Sequence, residues 1–195
     1  LISRFFGLLS ACMPLSKNNW RYNEEGYPLI EDCVAGSFID YHKSPELMSI
    51  YDSFFKNENG VLDAFVEFWK KVAEEFKGKK NVLGYDIWNE PWASNLWTDL
   101  KSLLPGYIDN HILIDFYSRI DEGISKVDPD YTMLFQPIPF PDTLPLFGGH
   151  ALSTFSKAPV DTSKRKQMFN VHSYCCAADQ NICKDGEPKA SDNET

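Results

Sequence analysis

Val82-Leu83-Gly84-Tyr85-Asp86-Ile87-Trp88-Asn89-Glu90-Pro91-Trp92 is the stretch that decides the fold. Its first seven residues are mostly apolar and have the length of a strand buried on both faces. Upstream, the apolar residues of 61–76 fall on one broad helical face, with Asn59 as the predicted N-cap and Gly78 as the predicted stop. The pattern therefore predicts a helix followed by a buried strand over 82–88, with Glu90 just after it.

The same alternation continues through the rest of the chain. Helical spacing extends over 109–127, and apolar runs at 131–135 and 168–174 predict two more strands. Residues 8–58 show no sustained period and predict a long excursion with a short helix at 46–55, and excursions of that length are usually functional. Because helices and strands alternate, we expect an α/β fold built from parallel βα units.

Composition limits the partners of the protein. A net charge of −9 and a pI near 4.9 leave no basic face for phosphates, so we expect no nucleic-acid partner. No apolar run reaches the roughly 18 residues that a membrane span requires. Aromatic residues make up 14% of the chain. They could fill the core, stack on sugar rings or line a lipid cleft.

The cysteines favour a disulfide over a metal site. Cys175, Cys176 and Cys183 lie near His172, but their spacing is a poor match to structural zinc sites, so we expect neither metal nor cofactor. A short loop disulfide from Cys175 or Cys176 to Cys183 is the alternative. The sequon 193–195 is compatible with a secretory route, and we expect a secreted protein or one of a lysosomal or other endomembrane lumen.

Polar side chains follow each predicted strand. Asn89 and Glu90 follow the first, Gln136 follows the second, and His172 and Tyr174 end the third. In a parallel barrel, the C-terminal strand ends open on one face, where polar groups from different strands meet a substrate. We therefore expect Glu90, Gln136, His172 and Tyr174 to lie in one pocket.

Glu90 has the chemistry of a general acid. Cleavage of a glycosidic bond needs one carboxylic acid to protonate the leaving oxygen and a second carboxylate to receive the sugar carbon. Trp88, Pro91 and Trp92 surround Glu90 in sequence and are expected to raise its pKa by desolvation. Asn89 can donate a hydrogen bond to the sugar 2-hydroxyl.

Each of these residues also has a purely structural interpretation. Asn-Glu-Pro at 89–91 can simply end a strand and open a loop. A histidine such as His172 is often a satisfied structural residue, and Tyr174 could be a core or rim aromatic.

The stretch 82–92 resembles the acid/base strand of glycoside hydrolase family 5, in particular its endoglycoceramidase branch. Ser3-Arg4-Phe5-Phe6-Gly7, the Phe-rich helix 65–76 and Leu104-Pro105-Gly106 are similar to that branch as well. The resemblance implies a (β/α)8 TIM barrel, with 82–88, 131–135 and 168–174 as its fourth, fifth and sixth strands. It also implies that Glu90 is the acid/base, with Asn89 beside it, and that His172 and Tyr174 orient the site and hydrogen-bond the nucleophile.

Two features depart from the family pattern. Gln136-Pro137 stands where relatives tend to carry Glu-Pro, so an amide replaces a carboxylate. The family nucleophile is a glutamate at the end of the seventh strand, beyond this chain. We therefore expect residues 1–195 to be a partial catalytic domain, truncated at both ends, that is neither a competent catalyst nor a stable monomer alone.

The resemblance implies a retaining endo-β-glycosidase that releases oligosaccharide from ceramide in glycosphingolipids. Alternatives are another family 5 enzyme, such as a β-glucanase or steryl-glucosidase, and a non-catalytic carbohydrate- or lipid-binding relative. We expect a glycolipid or oligosaccharide substrate bound partly by Trp88, Trp92 and Gln136. The loops 92–107 and 135–149 are candidates for a lipid cleft. A transient contact with a lipid surface fits this picture, and no obligate protein partner is inferred.

Overall fold

The computed structural model describes residues 20–35, 41–42, 44–95, 97–138 and 155–172. Their α-helices include α1 (Ile30–Cys33), α2 (Pro45–Phe55), α3 (Val61–Phe76) and α4 (Ile114–Ile124). The strands are β1 (Tyr85–Asp86), β2 (Thr132–Phe135) and β3 (Lys166–Phe169). Short 3-10 helices span Glu58–Gly60 and Leu100–Leu103, and a π-helical segment, Asp109–Leu113, leads into α4.

The three strands form one parallel sheet in the order β1-β2-β3. Tyr85 is in register with Met133, and Leu134 with Met168. Parallel neighbours need a crossover connection, and α4 lies in the one that joins β1 to β2. The expected α/β arrangement of parallel βα units is therefore present in the described part of the chain.

Helix α3 has the predicted bounds but not the predicted cap. Asn59 lies inside a 3-10 turn with φ 55°, and Gly60 occupies the N-cap position without a side-chain bond. Asn57 serves the first turn instead, since its Oδ1 accepts a hydrogen bond from the backbone N–H of Asp63 and its Nδ2 donates to the Asp63 carboxylate. The prediction of Asn59 as the cap is wrong, because the tight turn after α2 places Asn57 beside the first turn of α3.

The buried face of α3 is narrower than the sequence pattern suggested. Leu62 and Ala73 are buried, and Val66 and Trp69 pack against the core. These positions recur every three or four residues, which is one stripe of an α-helix. Other apolar residues of the predicted face point to solvent in this structure, namely Val61, Phe68 and Phe76.

Helix α4 packs beside α3 and runs in the same direction. The Arg119 guanidinium pairs with the Asp63 carboxylate near the start of α3. Further along, Gly123 lies against Val66, and a Cβ at Gly123 would stand 2.5 Å from Val66 Cγ1. The predicted helix 109–127 was too long as a single α-helix, because its first turn is π-helical and the α-helix ends at Ile124.

The outer strands are shorter than predicted. β1 covers only Tyr85–Asp86, and β3 ends at Phe169, so His172 lies beyond it. Burial of the first strand on both faces was also wrong, since Tyr85 and Ile87 are buried whereas Asp86 is exposed. Successive side chains of a strand point to opposite faces, so Asp86 lies on the face away from the helices.

The core lies between the helices and one face of the sheet. Phe54, Phe65 and Phe116 from three helices form an aromatic group around Trp88, with ring centroids 4.8 to 6.0 Å from the Trp88 ring. Deeper in the core lie Ile87, Tyr117 and Met133, each at most 2% exposed. None of the helices in the described residues combines the length and the apolar character that crossing a bilayer requires.

Candidate active site

The C-terminal ends of the three strands bring the predicted polar residues together. Glu90 follows β1, Gln136 directly follows β2, and Asn170 and His172 follow β3. The ladder extends past β3, since the backbone N–H of Asn170 donates to Phe135 O at 2.9 Å. Because the strands are parallel, Gln136 and His172 meet Glu90 at one edge although they lie 46 and 82 positions after it in the sequence.

Glu90 and His172 form an ionisable pair at this edge. His172 Nδ1 lies 2.9 Å from Glu90 Oε1, and the two side chains are 29% and 25% exposed. The pair is thus half-buried but open to solvent, as a group that exchanges a proton with substrate must be. The family resemblance implied a contact between His172 and the nucleophile, whereas the contact observed here is with Glu90.

The backbone of Glu90 is held in an unusual conformation. Its φ is 49°, in the left-handed region that non-glycine residues seldom adopt. The backbone N–H of Glu90 donates to Gln136 Oε1 at 2.9 Å. Such conformations persist only where neighbouring contacts hold them, and they concentrate at functional sites.

Gln136 does not have the exposure of a substrate-binding residue. It is 2% exposed. Its Nε2 donates to both oxygens of Asp86, at 3.0 and 2.9 Å, while its Oε1 accepts from Glu90. Both ends of the amide are therefore engaged within the protein, which argues against the predicted substrate contact.

Asp86 joins this network although the sequence marked it only as part of a strand. Besides Gln136, Asn170 Nδ2 donates to Asp86 Oδ2 at 2.8 Å. The available signal was a charged residue within an otherwise apolar run, since Asp is uncommon in strands. Asp86, Gln136 and Asn170 thus tie the three strand ends together, and we call them the strand-end network.

His42 is a further residue that sequence reasoning missed. Its ring stacks on Trp92 with 4.9 Å between centroids, and Tyr51 Oη lies 3.2 Å from His42 Nδ1. Burial lowers the pKa of His42, and the charge of Glu90 opposes that shift. His42 therefore lies within electrostatic range of Glu90. The only signal in sequence was the long excursion that carries it.

The remaining predicted residues have different environments. Asn89 is exposed, and Trp92 is half-buried against His42. Trp88 packs in the aromatic group between the helices, so its ring belongs to the core, and its packing argues against the predicted substrate contact. Tyr174, the loop 139–149 and the cysteines Cys175, Cys176 and Cys183 lie outside the described residues.

The arrangement is suited to moving a proton. Glu90 can hold or release a proton at the open edge of the sheet, with an imidazole beside it to bind the ionised carboxylate. Asp86 is different, because the nitrogens of two amides, which only donate, contact its oxygens. Of these two carboxyl groups, Glu90 is therefore the one placed to protonate a substrate.

Comparison with known proteins gives a consistent family. Residues 29–194 match the model of the cellulase family, glycosyl hydrolase family 5. An endoglycoceramidase of Cyanea nozakii is 30% identical over 152 residues, which are 77% of this chain and 29% of that protein. An endoglycoceramidase of Hydra vulgaris is 32% identical over 126 residues, 65% of this chain and 24% of that protein. The chain thus spans less than a third of the length of these relatives.

One solved structure supports the fold. Endo-glycoceramidase II from Rhodococcus sp., as a lactosyl-enzyme intermediate, superposes with a TM-score of 0.50 at 21% identity, covering 66% of this chain and 28% of that one. Together with the family match, this likeness supports the expected (β/α)8 barrel. The three parallel strands described here form part of it.

Proposed function

The chain belongs to glycoside hydrolase family 5, and from that membership we propose that it is part of a retaining endo-β-glycosidase in which Glu90 is the acid/base. The observation that carries the proposal is the 2.9 Å contact between His172 Nδ1 and Glu90 Oε1. It joins the carboxyl group that follows β1 to a second proton-binding group, at the edge where barrel enzymes bind their substrates.

The proposed chemistry has two steps. In the first, protonated Glu90 gives its proton to the glycosidic oxygen as the bond to the sugar carbon breaks, and a second carboxylate bonds to that carbon. In the second, ionised Glu90 takes a proton from water, whose oxygen attacks the sugar carbon and releases the second carboxylate. The family resemblance places that nucleophile on a later strand. His172 steadies Glu90 while the carboxylate is charged.

We propose glycosphingolipids as the substrates, cleaved between oligosaccharide and ceramide. Two curated relatives are endoglycoceramidases. The ring of His42 stacks with those of both Tyr51 and Trp92, and His42 lies within electrostatic range of Glu90. Such rings can stack on a sugar ring or contact an apolar aglycone. The runner-up is a β-glucanase, which the cellulase model of the family favours.

Glu90→Gln tests the catalytic proposal. In the full-length protein, we expect the substitution to lower kcat/KM for a natural glycoside by about 100-fold or more, because an amide cannot supply the proton. Glu122→Gln is the matched control, since Glu122 is exposed on α4, away from the strand ends, and it should leave kcat/KM unchanged. Full turnover of natural glycosides by Glu90→Gln would overturn the acid/base role.

A substrate panel tests the finer proposal. We expect release of oligosaccharide from a ganglioside, and little or no cleavage of cello-oligosaccharides or a steryl glucoside. The reverse preference would favour the other family 5 activities. Binding of ganglioside without cleavage of any member of the panel would favour a non-catalytic relative.

A further inference from the structure

We propose that Gln136 is a positioning residue that sets the direction of the Glu90 carboxyl group, and that an amide is required there because one side of the site offers a donor and the other a carboxylate. The inference rests on the proposed acid/base role of Glu90. It assigns Gln136 to the alignment of the acid and not to the binding of substrate.

Geometry fixes the orientation of the Gln136 amide. Its Oε1 accepts the hydrogen bond from the Glu90 backbone N–H at 2.9 Å, and its Nε2 lies 2.9 and 3.0 Å from the two Asp86 oxygens. A reversed amide would present oxygen to carboxylate and NH2 to N–H. Both contacts would then be repulsive, so only one orientation satisfies the site.

The main chain of Gln136 is fixed as well. Its backbone N–H donates to Tyr117 Oη at 2.9 Å, and Tyr117 Oη donates in turn to Gln136 O at 2.9 Å. Tyr117 is fully buried in the core. The residue that holds Glu90 is therefore anchored to helix α4. The position of its amide thus depends on the packing of Tyr117 in the core.

The left-handed backbone makes Glu90 sensitive to this contact. A non-glycine residue is strained at positive φ, and φ is 49° at Glu90. Without an acceptor at Gln136 Oε1, the N–H would lose its partner and the local strain could relax. The carboxyl group would then turn away from the substrate, and displacements of about 1 Å can cost about 100-fold in rate.

With Asp86 in place, a carboxylate at position 136 would be repelled on one side. It would accept from the Glu90 N–H, but its second oxygen would face the Asp86 carboxylate. Exchanging the two groups repairs the pattern. With Asp86→Asn and Gln136→Glu together, the new asparagine donates to the new carboxylate, and its own oxygen still accepts from Asn170.

The test compares two substrates in the full-length protein. The first is octyl β-lactoside, whose alcohol needs protonation as it leaves, and the second is 2,4-dinitrophenyl β-lactoside, whose acidic phenol needs little help. For Gln136→Glu, we expect kcat/KM on the octyl substrate to fall about 30-fold or more and on the dinitrophenyl substrate less than about 5-fold. Asp86→Asn/Gln136→Glu should restore the octyl value to within about 10-fold of the wild type.

Several variants keep the inference falsifiable. Gln136→Met removes the acceptor without adding charge and should show the same difference between the two substrates. Asn81→Asp is the matched amide-to-acid control at an exposed position before β1 and should change neither value. Equal losses on both substrates, or no recovery in the exchanged double variant, would overturn the positioning role. Wild-type octyl turnover by Glu90→Gln would instead overturn the proposed function itself.

Discussion

The role of Gln136 depends on contacts with residues that are distant in the sequence. By its type it was a departure from the family pattern, an amide where a carboxylate was expected. In the structure it is buried between a donor and a carboxylate, at Glu90 and Asp86. A group with one donating and one accepting end satisfies both neighbours. The departure is therefore matched to its surroundings.

Trp88 and Trp92 flank Glu90 in sequence, yet we predict opposite effects for them. Trp88→Leu should lower the free energy of unfolding by about 3 kcal/mol, because the ring fills the space between three helices. Trp92→Leu should raise KM with a smaller loss of stability, because Trp92 is half-buried and stacks on His42 near the open edge. Urea unfolding and steady-state kinetics of the two variants separate these effects. A stable Trp88→Leu protein with raised KM would contradict the assignment to the core.

The pairing of β1 and β2 depends on a close backbone approach. A Cβ on Gly84 would stand 2.3 Å from the backbone oxygen of Thr132 and 2.8 Å from Leu134 Cδ1. Glycine in a strand often marks such a position. The lack of a side chain therefore lets β1 lie against β2 and carry Glu90 to the site.

Gly84→Ala tests the importance of that approach. We expect it to lower the free energy of unfolding by about 2 to 3 kcal/mol, because the backbone of β2 cannot yield as a flexible side chain could. Lys80→Ala is the control at an exposed position just before the strand, and it should change stability little. An unfolding midpoint of Gly84→Ala equal to that of the wild type would show that β1 and β2 accommodate the added methyl group, and would contradict the prediction.

Buried tyrosines connect the layers of the molecule. Tyr85 Oη donates to the Asp128 carboxylate at 2.9 Å, and Tyr131 Oη donates to Asp121 at 2.7 Å. Arg165 Nε also donates to Asp121, at 2.6 Å, so a residue just before β3 is tied to helix α4. Burial is the largest cause that raises the pKa of Tyr85, to about 12, and it raises those of Tyr117 and Tyr131 as well.

These shifts predict an alkaline limit to stability. A tyrosine in the unfolded chain ionises near pH 10, whereas folded Tyr85 has a pKa of about 12. Between these values the folded state binds more protons, so the stabilisation is complete below about pH 10 and is lost as the pH rises through about 12. Urea unfolding from pH 8 to 12 should show this decline. It should be shallower in Tyr85→Phe than in Tyr27→Phe, which alters an exposed ring, and equal slopes would contradict it.

The sequence by itself determined the elements and the place where they meet. Helical spacing predicted the bounds of α3, and the parallel order of strands predicted that Glu90, Gln136 and His172 would converge. Both follow from short-range patterns together with one general rule, that the C-terminal ends of parallel strands share an edge.

Only the tertiary structure decided how those residues contact one another. It placed Trp88 in the core, brought His42 beside Trp92, and linked Gln136 to Asp86, 50 positions away. It also showed that Asn57, and not Asn59, accepts a hydrogen bond from the first turn of α3. The physical reason is that each of these contacts depends on strand register, on a turn or on helix packing between segments. No local periodicity carries that information.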